Sequence, residues 1–155
     1  MDLLTFLTKY GIRTTSNFQL IDIFSDLHII GKVLMRDELN KLSTTKKQNI
    51  IMNLQTSKDD GSHWVALVKN KCSPNKSKDL KYYFDPYGVL PTKEVYNYLD
   101  CPFSYNKIQV QQDGTECCGQ LSMYFLYRMN TSLQLTEENI TDIILSMKRE
   151  LDSLK

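Results

Sequence analysis

Apolar and polar positions along this chain follow two rhythms, helical towards both ends and strand-like through the middle. Residues 2–10 carry apolar side chains at helical spacing and stop at Gly11, which predicts a short helix with a glycine C-cap. Ser16 followed three residues on by Gln19 has the form of a capping box. A second helix is therefore predicted over 17–27, with Phe18, Ile21 and either Phe24 or Leu27 turned inward. Residues 31–39 read as a loop and 41–47 as a polar connector. The apolar, β-branched run 48–54 predicts a buried strand, and the cluster 56–62 a turn. Residues 63–69 alternate as a strand does, 71–79 form a polar turn, and 80–85 predict a third strand closed by Pro86 and Gly88. Residues 92–99 read as helix and 107–111 as a fourth strand. A last helix is predicted over 137–151, with Thr136 as N-cap and Ile140, Ile143, Ile144 and Met147 on one face. Helices, then strands, then helices indicate an α+β fold in one domain, 1–155, without repeats or linkers.

The chain is organised around the polar loop Gln111-Gln112-Asp113-Gly114-Thr115-Glu116-Cys117-Cys118-Gly119-Gln120, which runs into a helix ending near Met129. In that helix Leu121, Tyr124, Phe125 and Arg128 fall at i, i+3, i+4 and i+7, and the first three share a face. Cys118 then lies at or just before the first turn. The partial positive charge and free N–H groups of a helix N-terminus favour a thiolate, the nucleophilic form of cysteine. Gly119, having no side chain, is read as leaving the approach to the sulfur open, and a glutamine upstream offers an amide N–H to an oxyanion. A buried structural cysteine pair explains the same residues equally well, so the partners decide.

Composition narrows the setting. A length of 155 residues supports one core, and 41% apolar with 24% charged residues is ordinary for a globular domain. No apolar run approaches membrane-spanning length, and the first residues carry neither a basic region nor a small-residue cleavage site. Four cysteines, two of them adjacent, make neither a disulfide framework nor a metal spacing, so no cofactor or metal is expected, and a reducing intracellular compartment is. A net charge of +1 gives no support for nucleic-acid binding.

A cysteine nucleophile needs a base, and the base needs an acceptor that orients it. Of the two histidines, His28 ends an apolar helical pattern and is assigned a partly buried structural role. His63 opens a strand after a Gly-Ser turn, and Asp85 ends the next strand ahead of Pro86. If those strands pair, Asp85 neighbours His63 and holds its tautomer. Taken alone Asp85 is better explained as a turn former, since Asp-Pro commonly opens turns. The ordered set His63, Asp85, glutamine, Cys118, each at an element boundary, is much more specific than any single member.

Gly61-Ser62-His63-Trp64, Tyr83-Phe84-Asp85-Pro86-Tyr87-Gly88 and Val110-Gln111 leading to Cys118-Gly119 resemble the adenain family of viral cysteine proteases. That family takes in the adenovirus maturation protease, its relatives in Polinton/Maverick elements and virophages, and more distantly the SUMO proteases. Met35-Arg36-Asp37-Glu38-Leu39 and Ile51-Met52-Asn53-Leu54 look most like the Polinton and virophage branch. The resemblance implies a papain-like α+β fold, with the nucleophile on a helix packed against a small mixed sheet. It implies Cys118 as nucleophile, His63 as base, Asp85 as third member, and a glutamine with the Cys118 N–H in the oxyanion hole. Gln111 stands seven residues before Cys118, the adenovirus spacing, and Gln112 six, the SUMO-protease spacing; the Val110-Gln111 match favours Gln111. Cys117 departs from the family pattern and leaves two sulfurs as candidates.

The function implied is processing of viral capsid or other virion precursor polypeptides at glycine-containing sites, by a monomer without a membrane partner, inside the host cell and in the virion. The adenovirus enzyme is stimulated by a short peptide and by DNA. A peptide activator is carried over as an expectation, with Cys101 near but not at the position of the peptide-bonding cysteine, whereas the charge does not support DNA. Two rival readings are a deconjugase of ubiquitin-like proteins and a non-catalytic binding domain that kept the fold.

Overall fold

A computed structural model describes residues 1–43, 47–56, 63–70, 80–100, 102–132 and 135–154. The turns predicted at 56–62 and 71–79, residues 44–46 of the connector at 41–47, Cys72 and Cys101 lie wholly or largely outside the described residues.

Among the described residues, five strands form one mixed sheet in the order β1-β2-β3-β4-β5. They are β1 (Lys32–Met35), β2 (Gln48–Asn53), β3 (Trp64–Asn70), β4 (Leu80–Phe84) and β5 (Ser104–Tyr105). The β2–β3 and β3–β4 pairs are antiparallel, while β1 and β5 join the two edges in parallel. Central strand β3 does not alternate between core and solvent, because both faces of the sheet are covered. Trp64, Ala66 and Val68 face one apolar cluster and Val65 and Leu67 the other, so the strand is buried over most of its length.

Four helices cover the first face: α1 (Leu3–Tyr10), α2 (Asn17–Asp26), α4 (Cys118–Thr131) and α5 (Glu137–Asp152). On the second face, Val95, Tyr98 and Leu99 of α3 (Lys93–Leu99) pack with Leu34 and Leu39 over Ile50, Met52 and Tyr83. Helix α4 is the centre of the larger core. Every residue from Cys118 to Leu126 is buried, so it is enclosed all round rather than having the single inward face that its spacing predicts.

The caps at Ser16 and Thr136 behave as the sequence indicates, and Asp2 adds one that it does not single out. Asp2 and Thr136 accept from the backbone N–H groups of Thr5 and Asn139, and Ser16 and Gln19 form a complete capping box. The inward stripe of α2 differs from expectation: Leu20, Ile23 and Phe24 are buried, whereas Phe18 is 73% and Ile21 48% exposed. The helix is rotated so that Phe24 meets the chain at Gly31, where a Cβ would lie 2.4 Å from the Phe24 ring.

Two further elements differ. The loop predicted at 31–39 contains β1 and a 3-10 helix, Arg36–Lys41. Only Leu34 is buried in β1, so this edge strand carries almost no apolar signal. The fourth strand predicted at 107–111 is not a strand. There the backbone N–H groups of Val110 and Gln111 both donate to the Pro86 carbonyl, at 2.8 and 2.9 Å, instead of entering a ladder.

Candidate active site

The β3–β4 register brings His63 and Asp85 together. Ala66 pairs with Phe84, and continuing the register past the strand ends sets His63 opposite Tyr87, one residue beyond Pro86. The turn reverses at Gly88, whose N–H donates to the Asp85 carbonyl at 2.8 Å. Gly88 has φ +70°, and a Cβ there would lie 3.0 Å from the Ile108 backbone, so both conformation and space call for glycine. His63 Nε2 and Asp85 Oδ1 are 2.7 Å apart, with Asp85 almost wholly buried.

Asp85 is held from every side. Its N–H donates to Asn106 Oδ1 at 2.9 Å, Asn106 Nδ2 donates to its carbonyl at 2.7 Å, and the Tyr87 N–H donates to Oδ1 at 2.8 Å. Asn106, buried behind the turn, is a positioning residue that sequence reasoning misses; a lone Asn after a two-residue strand carries no local signal.

Cys118 is the first residue of α4, and Cys117 is its N-cap without a side-chain capping bond. The free N–H groups of that first turn favour negative charge on the sulfur. A second donor comes from β3, where the Trp64 N–H points at Cys118 Sγ at 3.4 Å. Ser122 Oγ donates to the Trp64 carbonyl at 3.1 Å and Trp64 Nε1 to the Thr15 carbonyl at 3.1 Å, so α4, β3 and the chain before α2 are locked around the cysteine.

His63 Nε2 is committed to Asp85, which leaves Nδ1 for Cys118. Burial pushes the imidazole towards its neutral form, but hydrogen bonds to Asp85 and Cys118 outweigh that and raise its pKa from 6.5 to about 9. The imidazolium is thus the form held at neutral pH. Since the folded value lies above the unfolded one, the stability contribution is complete below pH 6.5 and is lost as pH rises through about 9.

The neighbouring sulfur is in different surroundings. Burial raises the Cys117 thiol above its ordinary pKa, and the residue lines a cavity of about 390 Å³ with Leu7, Ile12 and Leu151. Neither His63 nor Gln111 lines that cavity.

Gly119 turns out to serve packing. A Cβ on it would lie 2.2 Å from Thr15 Oγ1 and 3.3 Å from both Leu20 Cδ2 and Trp64 Cδ1, so the missing side chain makes room for the core beneath the helix start, not for an approach to the sulfur. Gly119→Ala is expected to destabilise the fold by roughly 1–3 kcal/mol, the usual cost of overpacking. A thermal melt at the wild-type midpoint would show that Thr15 yields freely.

The two glutamines separate as their neighbours dictate. Gln111 is 1% exposed, and its Nε2 donates to the Thr115 carbonyl at 2.9 Å and to the Tyr87 hydroxyl at 3.2 Å. Because the Thr115 carbonyl can only accept, the Gln111 amide orientation is determined by this bond. Gln112 instead points outward, its Nε2 3.5 Å from Asp152 Oδ1. Gln109 braces the loop by donating to the Gln111 carbonyl at 2.9 Å and to Asp113 Oδ1 at 2.8 Å. His28 is exposed after α2 at φ +57°, in a cavity lined by Asn49 and Asn130, and is not the partly buried residue its helical context suggests.

The structure therefore draws together Cys118, His63, Asp85 and Gln111 from three segments of the chain and leaves Gln112 and His28 outside. A helix that opens on a cysteine packs on a small mixed sheet in an α+β fold. The ASFV pS273R protease shares it, with a TM-score of 0.54 over 87% of this chain and 67% of that one at 15% identity. The selenomethionine form of that protease gives 0.50 over 87% and 68% at 14% identity. In sequence, the chain is 33% identical over 109 residues to the putative thiol protease R355 of Acanthamoeba polyphaga mimivirus. The match covers 62% of this chain and 32% of that protein, so it spans about a third of the curated relative's length. No family model matches the chain.

Proposed function

We propose that this chain is a cysteine endopeptidase of viral type, with Cys118 as nucleophile, His63 as base and acid, Asp85 as orienting carboxylate and Gln111 as oxyanion donor. The observation that carries the reading is the 2.7 Å bond between Asp85 and His63, whose other ring nitrogen is left to Cys118, with the buried amide of Gln111 tied to Tyr87, the stacking partner of the imidazole. A structural cysteine pair needs no imidazolium raised to about 9 and no backbone N–H aimed at one sulfur. The likeness to viral thiol and cysteine proteases supports the same reading.

In the proposed reaction the Cys118 thiolate attacks the scissile carbonyl. The tetrahedral oxyanion forms between the Cys118 N–H and the Gln111 amide. His63 passes its proton to the leaving amine, then takes one from the water that hydrolyses the thioester. The proposed substrates are virion precursor polypeptides cut at glycine-containing sites, as the adenain-like residues imply, with the work done inside the host cell and the virion. The test is cleavage of a capsid precursor against a ubiquitin-like protein carrying a C-terminal extension. Turnover of the precursor alone is expected; preferred turnover of the ubiquitin-like protein would assign a deconjugase, and turnover of neither a binding domain.

Gln111→Ala is expected to reduce turnover by roughly 10²–10³, the usual cost of one oxyanion donor. Gln112→Ala, altering only an outward contact with Asp152, is expected to leave it within about twofold, since surface changes away from such features have small effects. The converse result on one peptide substrate would move the oxyanion role to Gln112.

A further inference from the structure

The turn that delivers Asp85 also delivers Tyr87, which touches three of the four proposed site residues. Its backbone N–H donates to Asp85 Oδ1 at 2.8 Å. Its ring stacks on the His63 imidazole, with centroids 4.8 Å apart and planes 24° from parallel. Its hydroxyl lies 3.2 Å from Gln111 Nε2 and 3.4 Å from the Thr115 carbonyl. The turn geometry and the strand register explain the first two contacts, since residue 87 falls opposite residue 63. They do not explain the third, which needs a hydroxyl at the far end of the ring and is absent from phenylalanine.

We infer that Tyr87 is a positioning residue whose hydroxyl aims the oxyanion-donating amide of Gln111. This role rests on the proposed proteolytic reading and follows from the hydrogen-bonding inventory of the amide. Nε2 carries two N–H groups and no lone pair, so the Tyr87 hydroxyl must accept one of them. The other goes to the Thr115 carbonyl, a backbone group tied to the cysteine loop. Two acceptors at different bearings fix the rotation of the amide plane about its last bond; one acceptor alone leaves it free to tilt. Tyr87 lies against His63, so the N–H it receives is the one on the imidazole side of the site.

That N–H is the one available to an oxyanion. The bond to Tyr87 is the longer of the two and ends on a neutral hydroxyl of a half-buried side chain. A developing anion forms a stronger, charge-assisted bond and takes the N–H over with little reorganisation. The hydroxyl oxygen, relieved of that donor, keeps its own proton and remains beside the same amide. No covalent step passes through Tyr87. Its contribution is to have Gln111 in place before the substrate arrives, so it acts in the transition state and not in substrate binding.

Tyr87→Phe separates the hydroxyl from the ring, keeping the stack on His63 and the backbone bond to Asp85. With the peptide substrate, kcat is expected to fall roughly tenfold, the worth of about one hydrogen bond realised in the transition state. KM and the melting temperature should stay close to wild type. The decisive measurement is the same substitution in a Gln111→Ala background. A hydroxyl that acts through Gln111 has nothing left to aim there, so the double variant should be no slower than Gln111→Ala alone. An equal further loss in that background, or an unchanged kcat in Tyr87→Phe, overturns the assignment while leaving the protease reading intact. A wild-type protein that cleaves neither precursor nor ubiquitin-like substrate overturns both.

Discussion

Cys118→Ala is expected to abolish peptide cleavage, a loss of at least about 10⁴-fold in kcat, whereas Cys117→Ala should keep most of the activity. The two sulfurs are adjacent in sequence but not in surroundings. Cys118 opens α4, receives the Trp64 N–H and is one of the groups that raise the His63 pKa. Cys117 is the N-cap, and burial raises its thiol pKa, which keeps it protonated and inert. Iodoacetamide followed by mass spectrometry of the labelled peptide reads the difference directly: label on Cys118 should parallel loss of activity. First labelling at Cys117, with activity lost in step, would put the nucleophile on the other sulfur. The same experiment guards against misfolding, because Cys118→Ala deletes a single buried sulfur and should melt close to wild type.

His63→Ala should be about as damaging as Cys118→Ala, since nucleophile and base act as a unit and removing either removes both functions. Asp85→Ala should cost less, because the carboxylate orients the imidazole and does not itself take the proton. The pH profile carries the more specific expectation. Activity that needs the imidazolium falls away as pH rises through about 9, the value to which hydrogen bonds to Asp85 and Cys118 raise His63 against the effect of burial. Without Asp85, burial continues to favour neutral imidazole while the strongest opposing contact is gone. The alkaline limb of Asp85→Asn should therefore move to lower pH. A limb that stays near 9 in that variant would mean that Asp85 does not govern the protonation of His63, and full activity in His63→Ala would remove the histidine from the mechanism.

How much of this is readable beforehand depends on where the information sits. The chemistry sits in residue types at element boundaries, and His63, Asp85, Gln111 and Cys118 are all placed there by local signals: a turn before a strand, an Asp-Pro, a polar loop before a helix. The strands β2 and β4 and the helices α1 and α5 likewise announce themselves through apolar runs and caps. What stays hidden is set by tertiary contact. β1 is an edge strand with one buried side chain, and its pairing with β2 supplies what its composition lacks. Residues 107–111 have strand-like composition, yet the Pro86 carbonyl captures two of their N–H groups and holds them as a brace for the Asp85 turn. The face of α2 is set by where Phe24 finds room at Gly31, and Gly119 by what Thr15 and Trp64 require, neither of which is a local property. Asn106 and Tyr87 belong to the same category, since their roles exist only once β3 and β4 are in register.

The bond between the Trp64 N–H and the Cys118 sulfur joins residues 54 positions apart, and it has a bearing on when the chain becomes active. On the ribosome the proposed base emerges well before the nucleophile, and α4 has to be complete before it can dock on β3. Closing so long a loop is slow relative to helix formation, and its contacts gain nothing until the sheet is already assembled. A complete but only partly folded chain thus holds every proposed reactive side chain without the Trp64 bond to the sulfur. In refolding from denaturant, hydrolytic activity should return together with the buried signal of Trp64 and lag behind the recovery of helical circular dichroism. Under the proposed reading an extended chain is thereby spared from cutting itself, because the Trp64 N–H and the Cys118 sulfur meet only once the sheet and α4 have docked.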